Sequence, residues 1–244
     1  MKPGEPNYGL DAPMFQRSAL FGGLAGIVIG LAASILVDHK VLPWKFQYIS
    51  ILFWPGVWFF LTGCVMYWGS KVGKLRLRDK MIASIRWRGD EQVLDVGCGH
   101  GMMLLAAAKH LMTGRATGID IWSQVDQADN NPASTMENAR LENVADRVEI
   151  QSADARKIPF PDDSFDVIVS SFVIHNLSKA SDREQVIREI ARVLRPGGQL
   201  AIADIRHTYQ YAKTLQALGW KEVKQWFPNF MFVTPTRVLR AIKP

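Results

Sequence analysis

The sequence predicts an α/β domain, a doubly wound and mostly parallel sheet, preceded by two transmembrane helices. Three observations predict it. Strand-like and helix-like runs alternate from residue 89 to the end. A short apolar run, Val93-Leu94-Asp95-Val96, leads through a glycine-rich turn, Gly97-Cys98-Gly99-His100-Gly101, into a good helix former, Met102 to Ala108. Ahead of these lie two uncharged stretches of 20 and 21 residues, Ser18 to Val37 and Tyr48 to Trp68. Each is about 30 Å long as a helix, enough to cross a bilayer.

With 244 residues there is room for one full domain and an appendage. Residues 1–17, polar and containing Pro and Gly, read as a flexible tail. Residues 18–68 read as a helical hairpin with spans 18–37 and 48–68. In the first span Ser18, Gly22, Gly26, Gly30 and Ser34 recur every four residues. A strip of small side chains lets membrane helices approach closely, within the hairpin or between copies in a homo-oligomer. The polar connector from Asp38 to Gln47 holds Pro43, and Pro55 is expected to bend the second span. Trp44, Tyr48, Tyr67 and Trp68 lie near the ends of that span, where aromatic rings favour the membrane interface. A cleaved signal peptide fits less well, because the first run is long, its flank is barely basic and a second span follows.

The net charge of +6 is unevenly placed. Residues 1–70 hold four Lys/Arg and three Asp/Glu, and residues 89–244 hold 18 and 19. Residues 71–88 hold seven and one. The basic character therefore belongs to a juxtamembrane collar within 69–88, made of Lys71, Lys74, Arg76, Arg78, Lys80, Arg86 and Arg88. It assigns no nucleic-acid partner to the domain. The collar outweighs Lys40 and Lys45 of the connector, so the positive-inside rule puts both termini, and the domain, on the cytoplasmic side of an integral membrane protein. A basic cluster beside a span is also attracted to anionic headgroups. Leu75, Leu77, Met81, Ile82 and Ile85 give its helix an apolar side for lipid or for the domain. Cys64 and Cys98 are not placed to pair, which fits a reducing compartment.

Within 89–244 the second strand is Ala116 to Ile121, and Pro132 suits the first turn of a helix running to about Leu141. Val148 to Ile150 and Val167 to Ser170 are the third and fourth strands. A helix from about Arg183 to Leu194 is stopped by Pro196-Gly197-Gly198, and Leu200 to Ala203 is the fifth strand. The tail, Trp220 to Lys243, reads as two further strands around Pro228-Asn229.

The spacing of the glycine turn decides between ligands. A dinucleotide fingerprint reads G-x-G-x-x-G, but here the third glycine comes one position early and Asp95 stands two residues before the first. Asp95 to Gly101 resembles the D/E-x-G-x-G-x-G motif of class I S-adenosylmethionine (SAM) methyltransferases. SAM has no phosphate and carries an α-ammonium group, so an acid beside the turn suits it and disfavours a pyrophosphate. Asp120 ends the second strand 25 residues after Asp95, where the family places the acid that accepts from both ribose hydroxyls. An acid at that strand end also faces the switch-point crevice. On the same resemblance Ile121 and Trp122 flank the adenine ring. Ser152-Ala153-Asp154-Ala155 resembles the family's segment after the third strand, in which Asp154 takes the adenine amino group and the Ala155 N–H a ring nitrogen. Residues Ile158 to Asp166 and Arg192 to Gly198 are similar to two long family signatures that are mostly scaffold. The whole of 89–244 is similar to the class I domain, nearest in detail to the ubiquinone/menaquinone C-methyltransferase and sterol methyltransferase branches. The resemblance implies a Rossmann-like, seven-stranded sheet with its last strand antiparallel. It also implies SAM over the C-terminal strand ends, with Gly97, Cys98, Gly99, Gly101 and Ser171 completing the cofactor set, and direct displacement at the methyl carbon.

The family's acceptor pocket lies after the fourth and fifth strands, here Ser171 to Asn176 and Asp204 to His207. Methyl transfer needs alignment, exclusion of water and, for O or C acceptors, removal of a proton. His175 is the candidate general base, since imidazole titrates near neutrality; His175-Asn176 equally suits a helix cap. His207 and His100 are lesser candidates. The polar link Trp122 to Asn131 reads either as a lid that brings Asp126 or Gln127 to the acceptor or as a surface loop with an Asx cap before Pro132. No Cys/His cluster has metal spacing, so no metal is indicated. Two functions compete: an enzyme methylating a small hydrophobic molecule at a membrane, and a membrane-bound SAM-binding subunit of a larger complex with little activity.

Overall fold

A computed structural model describes residues 4–10, 12–36, 49–123, 130–226, 228–230 and 235–244. The chain divides into two compact units: residues up to Gly9 together with Lys74–Pro244, and Leu10–Gly73. The connector 38–47 with Pro43 and Trp44, Tyr48, and the loop holding Asp126 and Gln127 lie outside the described residues.

In the smaller unit, α1 is Pro13–Leu36 and α2 is Trp54–Trp68. A π-helical turn, Ile49–Phe53, precedes α2, and Pro55 falls in the first turn of α2. Pro55, which has no N–H to offer the preceding turn, thus stands where the winding changes from π to α. The two helices meet along glycines. A Cβ on Gly23 would strike the Phe60 amide and would stand 2.8 Å from the Gly56 carbonyl oxygen; one on Gly56 would stand 2.7 Å from Ile27 N. Gly26 and Gly30 face Gly56 and Phe53 in the same way.

The four-residue strip read from the sequence is therefore only half right. Gly26 and Gly30 pack, but Ser18 and Gly22 are exposed and a Cβ on Gly22 would meet nothing within 4 Å. The seam instead uses Ala19, Gly23, Gly26 and Gly30. At about 100° per residue, a four-residue repeat drifts around the helix by about 40° per step. Alternating steps of four and three keep the seam straight.

In the larger unit, α3 (Lys74–Ala83) leads to β1 (Gln92–Val96), α4 (Met102–Ala108), β2 (Arg115–Asp120), α5 (Pro132–Leu141) and β3 (Val148–Ser152). Then follow β4 (Phe165–Ser171), α6 (Ala180–Val193), β5 (Leu194–Asp204), α7 (Thr208–Ala217), β6 (Val223–Gln225) and β7 (Arg237–Ile242). The sheet order is β3-β2-β1-β4-β5-β7-β6, with β7 antiparallel to both neighbours. Strands to the left of β1 run down in number and those to its right run up, so the switch point lies between β1 and β4. One face is packed by α3 and α4 through Leu77, Met81, Leu104 and Leu105, and the other by α6 and α7 through Val186, Ile187, Ile190 and Leu215. Both faces being covered explains the unbroken apolar strands.

Three details differ from expectation. The start of the chain is not a loose tail as far as it is described: Tyr8 is buried in the core of the larger unit. Lys74 of the collar is also buried, its ammonium held by the Tyr8 and Gly9 carbonyls at 2.9 Å each, so it does not face a membrane. Arg76, Lys80, Arg86 and Arg88 are exposed. And Pro196-Gly197-Gly198 does not separate α6 from its strand. Extended chain begins at Leu194, and the triplet forms an excursion between the pairs Phe165–Leu194 and Val167–Gln199.

The two long scaffold signatures turn out to be one device. Arg192, in the last turn of α6, donates to the carbonyls of Ile158 and Phe160 and to Asp162 and Glu189. That clamps the turn entering β4 to the helix leaving toward β5.

The hairpin gives a paired expectation. Gly23→Ile should lower the thermal unfolding midpoint of the protein in detergent, because the new side chain meets backbone. Gly22→Ile, one residue away, should leave it within experimental error. Equal effects would refute the seam.

Candidate cofactor and acceptor site

β1 ends at Val96 and the chain turns back through three glycines in the left-handed region, Gly97 (φ 75°), Gly99 (φ 49°) and Gly101 (φ 86°). L-residues with a Cβ rarely adopt this conformation, which is why the turn is written in glycine. A Cβ on Gly97 would also strike the Val173 side chain. The turn is stitched to the neighbouring strand: Gly97 N and Cys98 N both donate to Ile119 O, at 2.8 and 3.1 Å. Asp120, the residue after Ile119, completes the stitch. Its Oδ2 accepts from Gly99 N at 2.8 Å and its Oδ1 from Trp122 N at 2.7 Å.

Beneath the turn lies Asp95, 1% exposed, and neither carboxylate oxygen has a regular hydrogen-bond partner among the described residues. Burial pushes its carboxyl up to about 8; the Leu104 amide, in the first turn of α4, pulls it down and the Asp120 charge adds to the rise. A buried acid without a partner is destabilising until a cation reaches it. Ser171, closing β4, likewise has a buried hydroxyl with no partner among the described residues. Cys98 is buried and its thiol is held well above its usual range, first by burial and then by the charges of Asp95 and Asp120, so it is an inert filler of the turn.

The adenine-side residues are brought to the same edge with different fates. Trp122 (φ 58°) donates its ring N–H to Ser152 Oγ at 2.7 Å, which fixes the indole across the ends of β2 and β3. Ile121 is 68% exposed. Asp154 and Ala155 follow β3, but the Asp154 carboxylate is forked by Arg156 at 2.6–3.1 Å, and that guanidinium holds it below the usual carboxylate range. Arg156 continues to Asp182. An adenine amino group at Asp154 must share the carboxylate with Arg156, which the sequence did not foretell. Asn131 caps α5, its Oδ1 accepting from Ser134 N at 2.9 Å, as the surface-loop reading of this link expects.

On the acceptor side the structure adds a residue that sequence reasoning left without a role. Asp204, buried at the end of β5, accepts at Oδ2 from His175 N (3.0 Å) and Tyr211 OH (3.1 Å), and at Oδ1 from Ile205 N (2.9 Å). His175 Nδ1 lies 2.5 Å from Oδ1, a close contact too bent for a regular hydrogen bond. His175 sits in a short 3₁₀ turn, Ile174–Asn176, and does not cap α6, whose N-cap is Lys179. The signal was available: an acid ending an apolar strand is the pattern that pointed to Asp120. Burial and the Asp204 charge push the Tyr211 hydroxyl up. Arg183, 6% exposed, ties the chain after His175 to α7, donating to the carbonyls of Leu177 and Ser178 and to Gln210.

The two lesser histidines part company. His207 (φ 64°) is exposed at the start of α7, with desolvation and then the Arg183 charge holding its imidazole below the usual range. His100 is 4% exposed inside the glycine turn, and burial removes it as an acceptor base. Three bulky or aromatic residues with positive φ, Trp122, Phe172 and His207, each follow a strand end on this one edge of the sheet. Backbone strain of this kind gathers at functional sites.

The comparisons agree with the geometry. Residues 94–202 match the family described as "Methyltransferase domain". The 27-O-demethylrifamycin SV methyltransferase of Amycolatopsis mediterranei (strain S699) is 38% identical over 146 residues, 57% of this chain and 49% of that protein. A demethylmenaquinone methyltransferase of Lactobacillus johnsonii is 30% identical over 155 residues, covering 63% and 58%. The sterol 4-C-methyltransferase strm-1 of Caenorhabditis elegans is 33% identical over 120 residues, covering 49% and 33%. The chain spans about half the length of the first two and a third of the last. Among solved structures, a SAM-dependent methyltransferase from Aquifex aeolicus shares the fold, with a TM-score of 0.56 and 21% identity over 71% of this chain and 94% of that one. The [4+2]-cyclase SpnF shares it too, at 0.60 and 22% over 72% and 82%.

The residues present fit SAM: an unpartnered buried acid for a cation, a glycine turn without phosphate spacing, and an acid ending β2. Two expectations follow. Asp120→Ala should weaken SAM binding about tenfold or more, since a charge-assisted hydrogen bond contributes about 1.5–3 kcal/mol and the variant also releases Gly99; unchanged affinity by calorimetry would refute the assignment. For Asp95, the folded carboxyl keeps its proton to about 8 while an unfolded one loses it near 3.8. Its stabilising effect is thus present at low pH and lost as pH rises through about 8. A cationic ligand favours the carboxylate, so SAM binding below that pH should release a proton and tighten as pH rises toward it. Calorimetry in buffers of different ionisation heat measures the release, and Asp95→Asn should abolish it. Residues 94–202 are thus a methyltransferase domain, carried on a seven-stranded sheet of the class I fold whose glycine turn answers to Asp120, with SAM as its cofactor.

Proposed function

We propose that the protein is a membrane-anchored methyltransferase that moves the methyl group of SAM to a small lipid-soluble acceptor by direct displacement. The acceptor class is a quinone, isoprenoid, sterol-like compound, phospholipid amine or hydrophobic thiol. The observation that carries the reading is the union in one chain of the cofactor crevice with a hairpin turned outward by its bulk. Phe21, Ile35 and Trp58 are 71%, 78% and 73% exposed, and Pro13–Ile35 and Ile51–Ala83 are long and apolar enough to cross a bilayer. Contiguous apolar surface on this scale is unfavourable in water and favourable in lipid. The relatives named for demethylmenaquinone and for a sterol support an apolar acceptor. The exposed cations of the collar support a cytoplasmic domain.

When bound, SAM supplies an electrophilic methyl group on a sulfonium. The remaining work falls to this chain. Asp95 and the glycine turn hold the amino-acid end, Asp120 the ribose, and Trp122 with Ala155 the base. Asp204 fixes the His175 ring from its Nδ1 side and stabilises the imidazolium, leaving Nε2 to take a proton from an O–H or C–H acceptor. Tyr211 and the Ile205 amide hold Asp204 in turn.

The test uses purified full-length protein in detergent, methyl-labelled SAM and extracted lipids. Label is expected in the lipid fraction. His175→Ala should lower turnover about a hundredfold with SAM affinity unchanged, and Asp204→Asn should lower it less. Background turnover across all lipid classes would overturn the reading in favour of a SAM-binding subunit.

A further inference from the structure

Residues before the hairpin reach the cofactor turn through a single buried side chain. Tyr8, 8% exposed, donates its hydroxyl to Glu142 at 2.7 Å, and the Arg78 guanidinium lies 5.8 Å from its ring centroid. Lys74 holds the carbonyls of Tyr8 and Gly9. Beside them Asn138, on α5 and 4% exposed, is fully engaged. Its Oδ1 accepts from Asn7 N at 2.8 Å, and its Nδ2 donates to Asn7 O and to His100 O, each at 2.9 Å. An amide group has two donors and one carbonyl, so the same side chain grips the N-terminal segment with one hand and the glycine turn with the other.

Gly99 O accepts from Thr135 Oγ1 at 2.6 Å, one turn before Asn138 on the same helix. If the N-terminal segment leaves, Asn138 keeps a buried amide with two of these three bonds gone. Such a group must rotate or admit water, and the hold on His100 O loosens with it. We propose that residues 4–9 are a strap whose seating on Asn138 keeps the glycine turn in its cofactor-binding shape. Tyr8 and Asn138 are thus positioning residues for SAM, although neither belongs to the crevice. The inference rests on the cofactor site alone and is independent of the acceptor.

Coupling of two sites is reciprocal: whatever the strap does for SAM, SAM does for the strap. The experiment is hydrogen exchange and SAM titration on the full-length protein in detergent. In the unaltered protein, saturating SAM should slow exchange of the Asn7 amide, which bonds to Asn138 while the strap is seated. Tyr8→Ala should raise the SAM dissociation constant about fivefold or more and speed exchange across residues 98–102. Tyr8→Phe, which keeps the ring and loses the bond to Glu142, should fall between. Glu137→Ala, on the exposed side of α5, should change neither. SAM affinity unaltered in folded Tyr8→Ala, or exchange at Asn7 indifferent to SAM, would overturn the proposal. The second measurement needs no variant, so a misfolded substitution does not shield the idea. Exchange that quickens evenly over the whole domain would also overturn it, marking Tyr8 as a general core residue.

Discussion

The bond from Gly99 N to Asp120 is the joint on which the crevice depends. It ties the glycine turn to the acid that ends β2. Around it the geometry is over-determined: two more amides of the turn bond Ile119 O, and the other Asp120 oxygen fixes Trp122, which fixes Ser152.

The chemistry-bearing parts were legible where a local rule forces them. Gly97, Gly99 and Gly101 announce positive φ, Asp120 ends an apolar run, and Asn131-Pro132 writes a helix start. What escaped is set by long-range pairing. Nothing local links Asn7 to Asn138, 131 residues apart, so the start of the chain looked loose. Arg183 looks like an ordinary solvated helix residue until its three acceptors appear. Asp204 obeys the same strand-end rule as Asp120, but its partners Tyr211 and His175 come from separate elements that only the fold brings together. Arg156 was a surface cation by composition, and only the fold reveals that it competes for Asp154. In the hairpin a repeat of four residues does not stay on one face of a helix that turns every 3.6.

The two ends of the sheet edge are built on opposite principles. On the cofactor side carboxylates are held apart, one buried and unpartnered, one bonded to amides. On the acceptor side a single buried carboxylate, Asp204, gathers a hydroxyl, two amides and an imidazole. The first arrangement suits a cation, the partner that a buried carboxylate lacks. The second stabilises positive charge on a ring that is already in place. Both lie where strained residues follow strand ends, and the strain is carried by the sheet beneath them.

The backbone-to-backbone contact of α1 with α2 at Gly23 and Gly56 also governs which changes each half of the protein can absorb. In the sheet domain the interior is bulky and exacting and the exterior permissive toward small polar residues. In the hairpin the order inverts: its interior admits only the smallest side chains, while its perimeter is free to exchange one large apolar residue for another. Sequence drift in this protein is therefore governed by two opposite size rules, divided near residue 73.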